Sequence, residues 1–243
     1  MDGEVVERFG GTLRALCAEG GLFLPEDTLA RFFRYHEMLE EANRFFNLTR
    51  VEGPEQSARR HFYDSFAAPA LTALADGTSV VDVGTGAGFP GLPIAILRPG
   101  LSVTLLDSLR KRTDFLHAVV ADLGLTNVEV VHDRAEDFGR WAGRERFDVA
   151  LSRALAGLPA LLEYTLPLVR VGGVALAWRG PAAPEELKEA SRAARLLGGD
   201  EGRALPYRPG GEEQFYIVMH KKIRPVPLLY PRKAGTPTKT PLI

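Results

Sequence analysis

Residues 80–91 read Val-Val-Asp-Val-Gly-Thr-Gly-Ala-Gly-Phe-Pro-Gly, a short apolar run leading into glycines at 84, 86, 88 and 91. A strand that ends in such a turn and continues into a helix lets the backbone take positive φ and approach a ligand closely. The helix N-terminus behind the turn favours polar ligand groups. Asp107 follows Gly84 by 23 residues, at the end of the next apolar run. An acidic side chain there is placed to accept hydrogen bonds from two ribose hydroxyls. Read from Gly86, the glycines at 86, 88 and 91 also satisfy the dinucleotide pattern G-x-G-x-x-G. Asp82 argues for a different nucleotide. A carboxylate inside an apolar strand is costly unless it meets a cation. It would repel a pyrophosphate and attract the amino group of a methionine moiety. Asp-x-Gly-x-Gly-x-Gly therefore points to S-adenosylmethionine (SAM) rather than NAD.

Two further pieces lie where a bound nucleotide would reach. His132-Asp133-Arg134-Ala135-Glu136-Asp137 follows the third strand, beside the expected adenine position. Ser152-Arg153-Ala154 ends the fourth strand, nearest a transferable methyl group. The Asn/Asp-Pro-Pro-aromatic motif of amine methyltransferases is missing there, and the only cysteine, Cys17, lies in an N-terminal helix. The acceptor should thus already hold a nucleophilic lone pair, as guanine N7 does. Catalysis then rests on positioning and desolvation, with no certain catalytic residue and Arg153 as the positioning candidate. His61 and Asp64, spaced i, i+3, are a possible acid–base pair or a structural hydrogen bond.

The elements that must position these residues follow from periodicity. Helical spacing covers 4–20 and 25–46, where Leu29, Phe32, Phe33, Leu39 and Phe46 form a stripe and Pro25, Asp27 and Thr28 mark the start. Apolar strands are expected at 80–83, 103–106, 128–131, 149–151 and 174–178. Helices are expected between them at 109–123, 135–141, 158–169 and 185–197. This alternation predicts an α/β, doubly wound, mostly parallel sheet, and with the SAM-type loop the expected fold is that of a Rossmann-like class I SAM-dependent methyltransferase. A last strand, 214–220, should lie antiparallel at an edge. The expected divisions are a helical N-terminal cap (1–58), a methyltransferase domain (59–223) and a basic Pro-rich arm (224–243).

Composition sets the boundaries. The 243 residues are 45% apolar and 25% charged, which excludes collagen-like, disordered and membrane-embedded classes. A net charge of −1 speaks against a uniformly basic nucleic-acid coat, yet 1–219 carry −7 and 220–243 carry +6. One cysteine allows no internal disulfide. No Cys/His cluster has metal spacing, and His117 and His132 are read as packing or surface residues. A cytoplasmic, metal-free monomer is expected.

The chain resembles the bacterial small-subunit ribosomal RNA methyltransferase family RsmG, also called glucose-inhibited division protein B. The resemblance is carried by Asn47-Leu48-Thr49, His61-Phe62-Tyr63-Asp64-Ser65, 82–91, Leu106-Asp107-Ser108 with Lys111-Arg112, Arg134-Ala135-Glu136, Ser152-Arg153-Ala154 and the tail Arg232-Lys233-Ala234-Gly235-Thr236-Pro237. It implies SAM-dependent N7 methylation of one guanine in 16S rRNA, with free rRNA or an assembling small subunit as partner. The resemblance implies SAM contacts from Gly84, Phe89, Ala135, Glu136 and Arg153, with Asp107 on the ribose, and Asp82, Gly86, Gly88, Ser108 and Leu109 are further expected cofactor residues. RNA contacts are expected among Arg60, His61, Lys111, Arg112, Arg179, Arg232 and Lys233. Arg179 stands where relatives usually carry Lys. Removing 224–243 should spare SAM binding and weaken RNA binding. An NAD-dependent oxidoreductase and a non-catalytic nucleotide-binding RNA regulator are the alternatives.

Overall fold

The computed structural model describes residues 3–243. Helices α1 (Gly3–Glu19) and α2 (Glu26–Phe46) form because their apolar side chains recur at helical spacing. Phe9, Leu13, Leu16 and Cys17 of α1 and Leu29, Phe32, Tyr35 and Leu39 of α2 are buried, whereas Phe46, part of the expected stripe, is exposed. Asn47 ends α2 in the left-handed conformation, its N–H donating to the Asn43 carbonyl. A short α3 (Pro54–Ser57) runs into a π-helical segment, Ala58–Tyr63, and α4 (Ala68–Leu71) leads to the sheet.

The sheet region alternates β1 (Ser79–Val83), α5 (Gly91–Leu97), β2 (Ser102–Asp107), α6 (Arg110–Asp122), β3 (Val128–His132), α7 (Ala135–Phe138), β4 (Phe147–Arg153), α8 (Leu158–Thr165) and β5 (Val169–Arg179). Then come α9 (Ala183–Glu189), α10 (Ser191–Leu196), β6 (Arg203–Tyr207), β7 (Phe215–Lys221) and α11 (Thr236–Lys239). Strand order is β3-β2-β1-β4-β5-β7-β6. The first five strands are parallel, and β7 pairs antiparallel with both β5 and β6. The chain order reverses between β1 and β4, the place where doubly wound sheets open a ligand crevice.

Strand side chains alternate between two cores. Val80, Val103 and Leu105 join α1, α2, α5 and α6 on one face, so the N-terminal helices share a core with the sheet. Val81, Val83 and Leu106 join α8, α9 and α10 on the other. Several sequence expectations differ from what is seen, among them the helix expected over 158–169, which ends at Thr165 with Val169 already in β5. The strand expected at an edge, now β7, is interior. The edge is β6, which periodicity missed because Pro206 interrupts it, and an edge is where a proline costs no ladder bond. The helix expected over 135–141 is one turn, α7, and that over 185–197 divides at Ala190.

The C-terminal segment, expected as a basic Pro-rich arm, is docked on the body. Lys222 is fully buried, donating from Nζ to the Leu166 and Val169 carbonyls at 2.7 and 2.9 Å and pairing with Glu145 at 3.1 Å. Arg144 donates to the Val226 and Tyr230 carbonyls, and Arg140 to that of Pro231. The prolines remove backbone donors but leave carbonyls, and arginines of the body answer these. No described helix is long and apolar enough to cross a membrane.

The N-terminal core contains an acid-sensitive point. His36 is buried, stacked on Phe9 at 4.8 Å, and its Nδ1 has no partner. Burial pushes its pKa from 6.5 down to about 4. The unfolded chain therefore binds the proton first as pH falls, so this stability is complete above pH 6.5 and is lost toward pH 4. A shift from 6.5 to about 4 corresponds to about 3 kcal/mol. Melting temperature should fall over that interval, and His36→Phe should flatten the fall. An equal slope in the variant would place the acid sensitivity elsewhere.

Candidate active site

A cleft of about 310 Å³ opens at the carboxyl ends of β1, β2 and β3. Val83 and Gly84 line it from β1, Asp107, Ser108, Leu109 and Arg112 from β2 and the start of α6, and Asp133, Arg134, Ala135 and Glu136 from β3 and α7. Leu155, Tyr164 and Thr238 complete the wall. Of the expected cofactor residues, Gly84, Asp107, Ser108, Leu109, Ala135 and Glu136 are brought together here.

The Asp107 carboxylate is 3% exposed and organises the floor. Its Oδ2 accepts from the Gly86 N–H at 2.9 Å and from Arg112 at 3.2 Å, while Oδ1 accepts from the Leu109 N–H at 2.9 Å. The glycine loop and the α6 start are thus fixed to one acid at the end of β2. Gly86 has φ +64°, and a Cβ there would meet no atom within 4 Å. Its constraint is conformational. Gly88 is different, with φ +107° and room for a Cβ only 2.5 Å from the Tyr35 hydroxyl. There α2 presses directly on the loop.

Asp82, Gly86, Gly88, Phe89 and Arg153 do not line the cleft. Asp82 is completely buried beneath the loop, where Oδ2 accepts from the Thr85 hydroxyl at 2.6 Å and the Gly91 N–H at 2.8 Å. Burial raises its pKa to about 6 against the pull of those two bonds, and Oδ1 has no protein partner. The carboxylate ties the turn to the start of α5 instead of standing in the cleft. Phe89 is buried, stacked on Tyr35 at 5.1 Å and on His61 at 4.3 Å.

Arg153 crosses from the end of β4 toward the π-helical segment. It pairs with Asp64 at 2.8 Å, donates to the Arg60 carbonyl at 2.9 Å and lies 5.4 Å from the Phe89 ring centre. Asp64 also accepts from the Tyr207 hydroxyl at 2.7 Å, and Trp178 donates to its carbonyl at 2.9 Å. Tyr207's pKa is raised by burial and by Asp64. His61 and Asp64 do not bond each other. His61 meets the Thr49 hydroxyl at 2.8 Å instead. Burial, then the Arg153 charge, lowers the His61 pKa to about 3, leaving a neutral ring. The i, i+3 pair is therefore two separate structural contacts.

The expected RNA residues divide. Arg60, Lys111 and Lys233 are exposed, and Arg112 is half-buried at the cleft. Lys111 donates to the Phe46 carbonyl at 3.1 Å, and Arg60 faces Glu213 at 3.8 Å. His61 is buried. Arg179 is held by Glu186 and the Ala156 carbonyl. Arg232 is held by the fully buried Glu163. Sequence reasoning missed Leu155, Tyr164 and Thr238, which lie far from the motif and carry no pattern of their own. Among the described residues, no group of three or more His, Cys, Asp or Glu could hold a metal ion.

Residues 28–205 match the family GidB, rRNA small subunit methyltransferase G. The chain is 43% identical over 236 residues to the ribosomal RNA small subunit methyltransferase G of Desulforamulus reducens, covering 95% of this chain and 97% of the relative. It is 44% identical over 232 residues to the protein of that name from Carboxydothermus hydrogenoformans, covering 95% and 98%. Among solved structures it is similar to the SAM-dependent methyltransferase SibL (TM-score 0.52, 18% identity, 82% of this chain and 73% of that chain). A predicted O-methyltransferase from Agrobacterium tumefaciens gives TM-score 0.51 at 17% identity, over 68% and 85%. At these identities the structures speak to the fold, which is that of SAM-dependent methyltransferases. By its own sequence and by its extended identity to these relatives, the chain belongs to the rRNA small subunit methyltransferase G family.

Proposed function

We propose that this chain transfers the methyl group of SAM to N7 of a guanine in small-subunit rRNA. The observation that carries the reading is the cleft itself, in which Gly84, Asp107 and Ala135-Glu136 converge from three adjacent strand ends in a member of this family. The residues present fit SAM. Asp107 offers ribose-facing oxygens beside an open loop at Gly86, and the unpartnered Asp82 Oδ1 adds negative potential beneath the methionine end. Bound there, SAM supplies an electrophilic methyl on a sulfonium.

The chain's own part is placement. Guanine N7 is nucleophilic as it stands, so no side chain has to remove a proton before it attacks. His61 is neutral and hydrogen-bonded, and Asp64 is committed to Arg153 and Tyr207. Arg153 positions instead, joining β4, Phe89 and the π-helical segment at the edge of the loop. Of the expected RNA residues, Lys111, Arg112, Arg60 and Lys233 remain available to meet phosphates, and each would contribute to a salt-dependent affinity.

Methyl transfer from radiolabelled SAM should label 16S rRNA, and cleavage chemistry specific for N7-methylguanosine should break the labelled strand at one site. Parallel assays on bare rRNA and on small subunits identify the preferred form of the substrate. Label that resists this cleavage would rule out N7 as the acceptor atom.

A further inference from the structure

The C-terminal segment meets the cofactor cleft, contrary to the expectation that it acts apart from it. Arg232 forks onto Glu163 of α8, with Nη2 to Oε2 at 2.6 Å and Nε to Oε1 at 2.9 Å, and its backbone N–H donates to Oε1 at 2.7 Å. Three residues later the Gly235 N–H donates to Glu136 Oε1 at 2.7 Å. Glu136 is itself 2% exposed and lines the cleft, as does Thr238, one turn further on. Between them Pro237 is buried, and α11 packs on α8.

These anchors lie at one end of the cleft. Along the sheet, β1 carries the glycine loop, β2 carries Asp107 and β3 leads to Ala135 and Glu136. A SAM molecule whose ribose meets Asp107 and whose methionine lies along the loop must direct its base toward β3 and α7. We infer that residues 232–240 are a working part of the cofactor site: Thr238 walls the adenine end, held by Gly235 on Glu136 and by Arg232 on Glu163. Adenosyl binding and docking of this segment are then linked, each stabilising the other by the same factor. The inference rests on the reading of the cleft as a SAM site. It changes the role of the tail from a free arm to a strap, with Lys233 and Lys239 exposed.

The test uses S-adenosylhomocysteine as probe. In the full chain, its binding should slow amide hydrogen exchange at residues 235–240. In a chain ended after Pro231, its affinity should fall by about tenfold or more, within the usual range for coupled events. A truncated chain that folds and binds the probe within about twofold of the full chain would overturn the inference. So would unchanged exchange at 235–240, which decides the matter even if the truncated chain does not fold. Failure of the full chain to bind the probe at all would instead overturn the reading of the cleft, and this inference with it.

Discussion

Arg232→Met is expected to destabilise the protein by about 3–5 kcal/mol, the cost of leaving a buried charge without its partner. Glu163 is fully buried, and Arg232 supplies both of its side-chain donors at distances from 2.6 to 3.1 Å. Without the guanidinium, the carboxylate keeps only the backbone N–H of residue 232 among the donors seen here. Urea unfolding should show a lower midpoint with little change in slope. Adding Glu163→Leu should recover most of the loss, because removing both members of a buried pair is far cheaper than removing one. An RNA contact at Arg232 predicts the opposite pattern, with stability unchanged and the salt slope of RNA binding reduced by about one. An unaltered unfolding midpoint in Arg232→Met would show that the fork is not holding the tail.

Legibility followed the range of each signal. The strand-loop-helix unit at 79–97 was readable because its glycines, Asp82 and the apolar run are contiguous, and local sterics leave few alternatives. The parallel order of β1 to β5 followed from alternation with helices. β6 escaped because Pro206 and its half-exposed neighbours give it no period-two pattern, and its partner β7 was consequently placed at the edge. The tail was misjudged for a related reason. Proline-rich sequence carries no periodicity, and what docks it is a set of distant arginines, Arg140 and Arg144, whose targets are backbone carbonyls.

Within the site, motif residues were found and their duties partly exchanged. Asp82 and Asp107 both stood out as carboxylates near glycines. Only position in space separates the brace buried under the loop from the acid that faces the cleft. Arg153 was singled out from its place at the end of β4, but its partner Asp64 lies 89 residues earlier in the chain, and the other side chain bonded to Asp64, Tyr207, lies 143 residues after Asp64. Charge alone could not sort the cations. Arg179 and Arg232 are spent on Glu186 and Glu163, and no sequence pattern distinguishes them from the exposed Lys111 and Lys233.

Asp107→Asn should weaken S-adenosylhomocysteine binding by about 100-fold, or roughly 3 kcal/mol, through loss of charge-assisted hydrogen bonds. Both carboxylate oxygens already receive backbone N–H groups, Gly86 on one and Leu109 on the other. An amide can answer only one of them, because its NH₂ presents hydrogens to the other. The substitution therefore loosens the loop as well as removing a ribose acceptor. Two controls separate these effects. Arg112→Ala removes the 3.2 Å pairing but leaves both backbone bonds, so it should cost about fivefold or less if the pair adds only a modest half-exposed ion bridge. A 2′-deoxyribose analogue of the probe should bind the native chain more weakly than the parent compound, yet show little further loss in Asp107→Asn. If the analogue and the parent lose equally in both proteins, Asp107 braces the loop without touching the ribose. If Asp107→Asn binds the probe within about twofold of the native chain, the acid is dispensable and the nucleotide is held by the walls at β1 and β3.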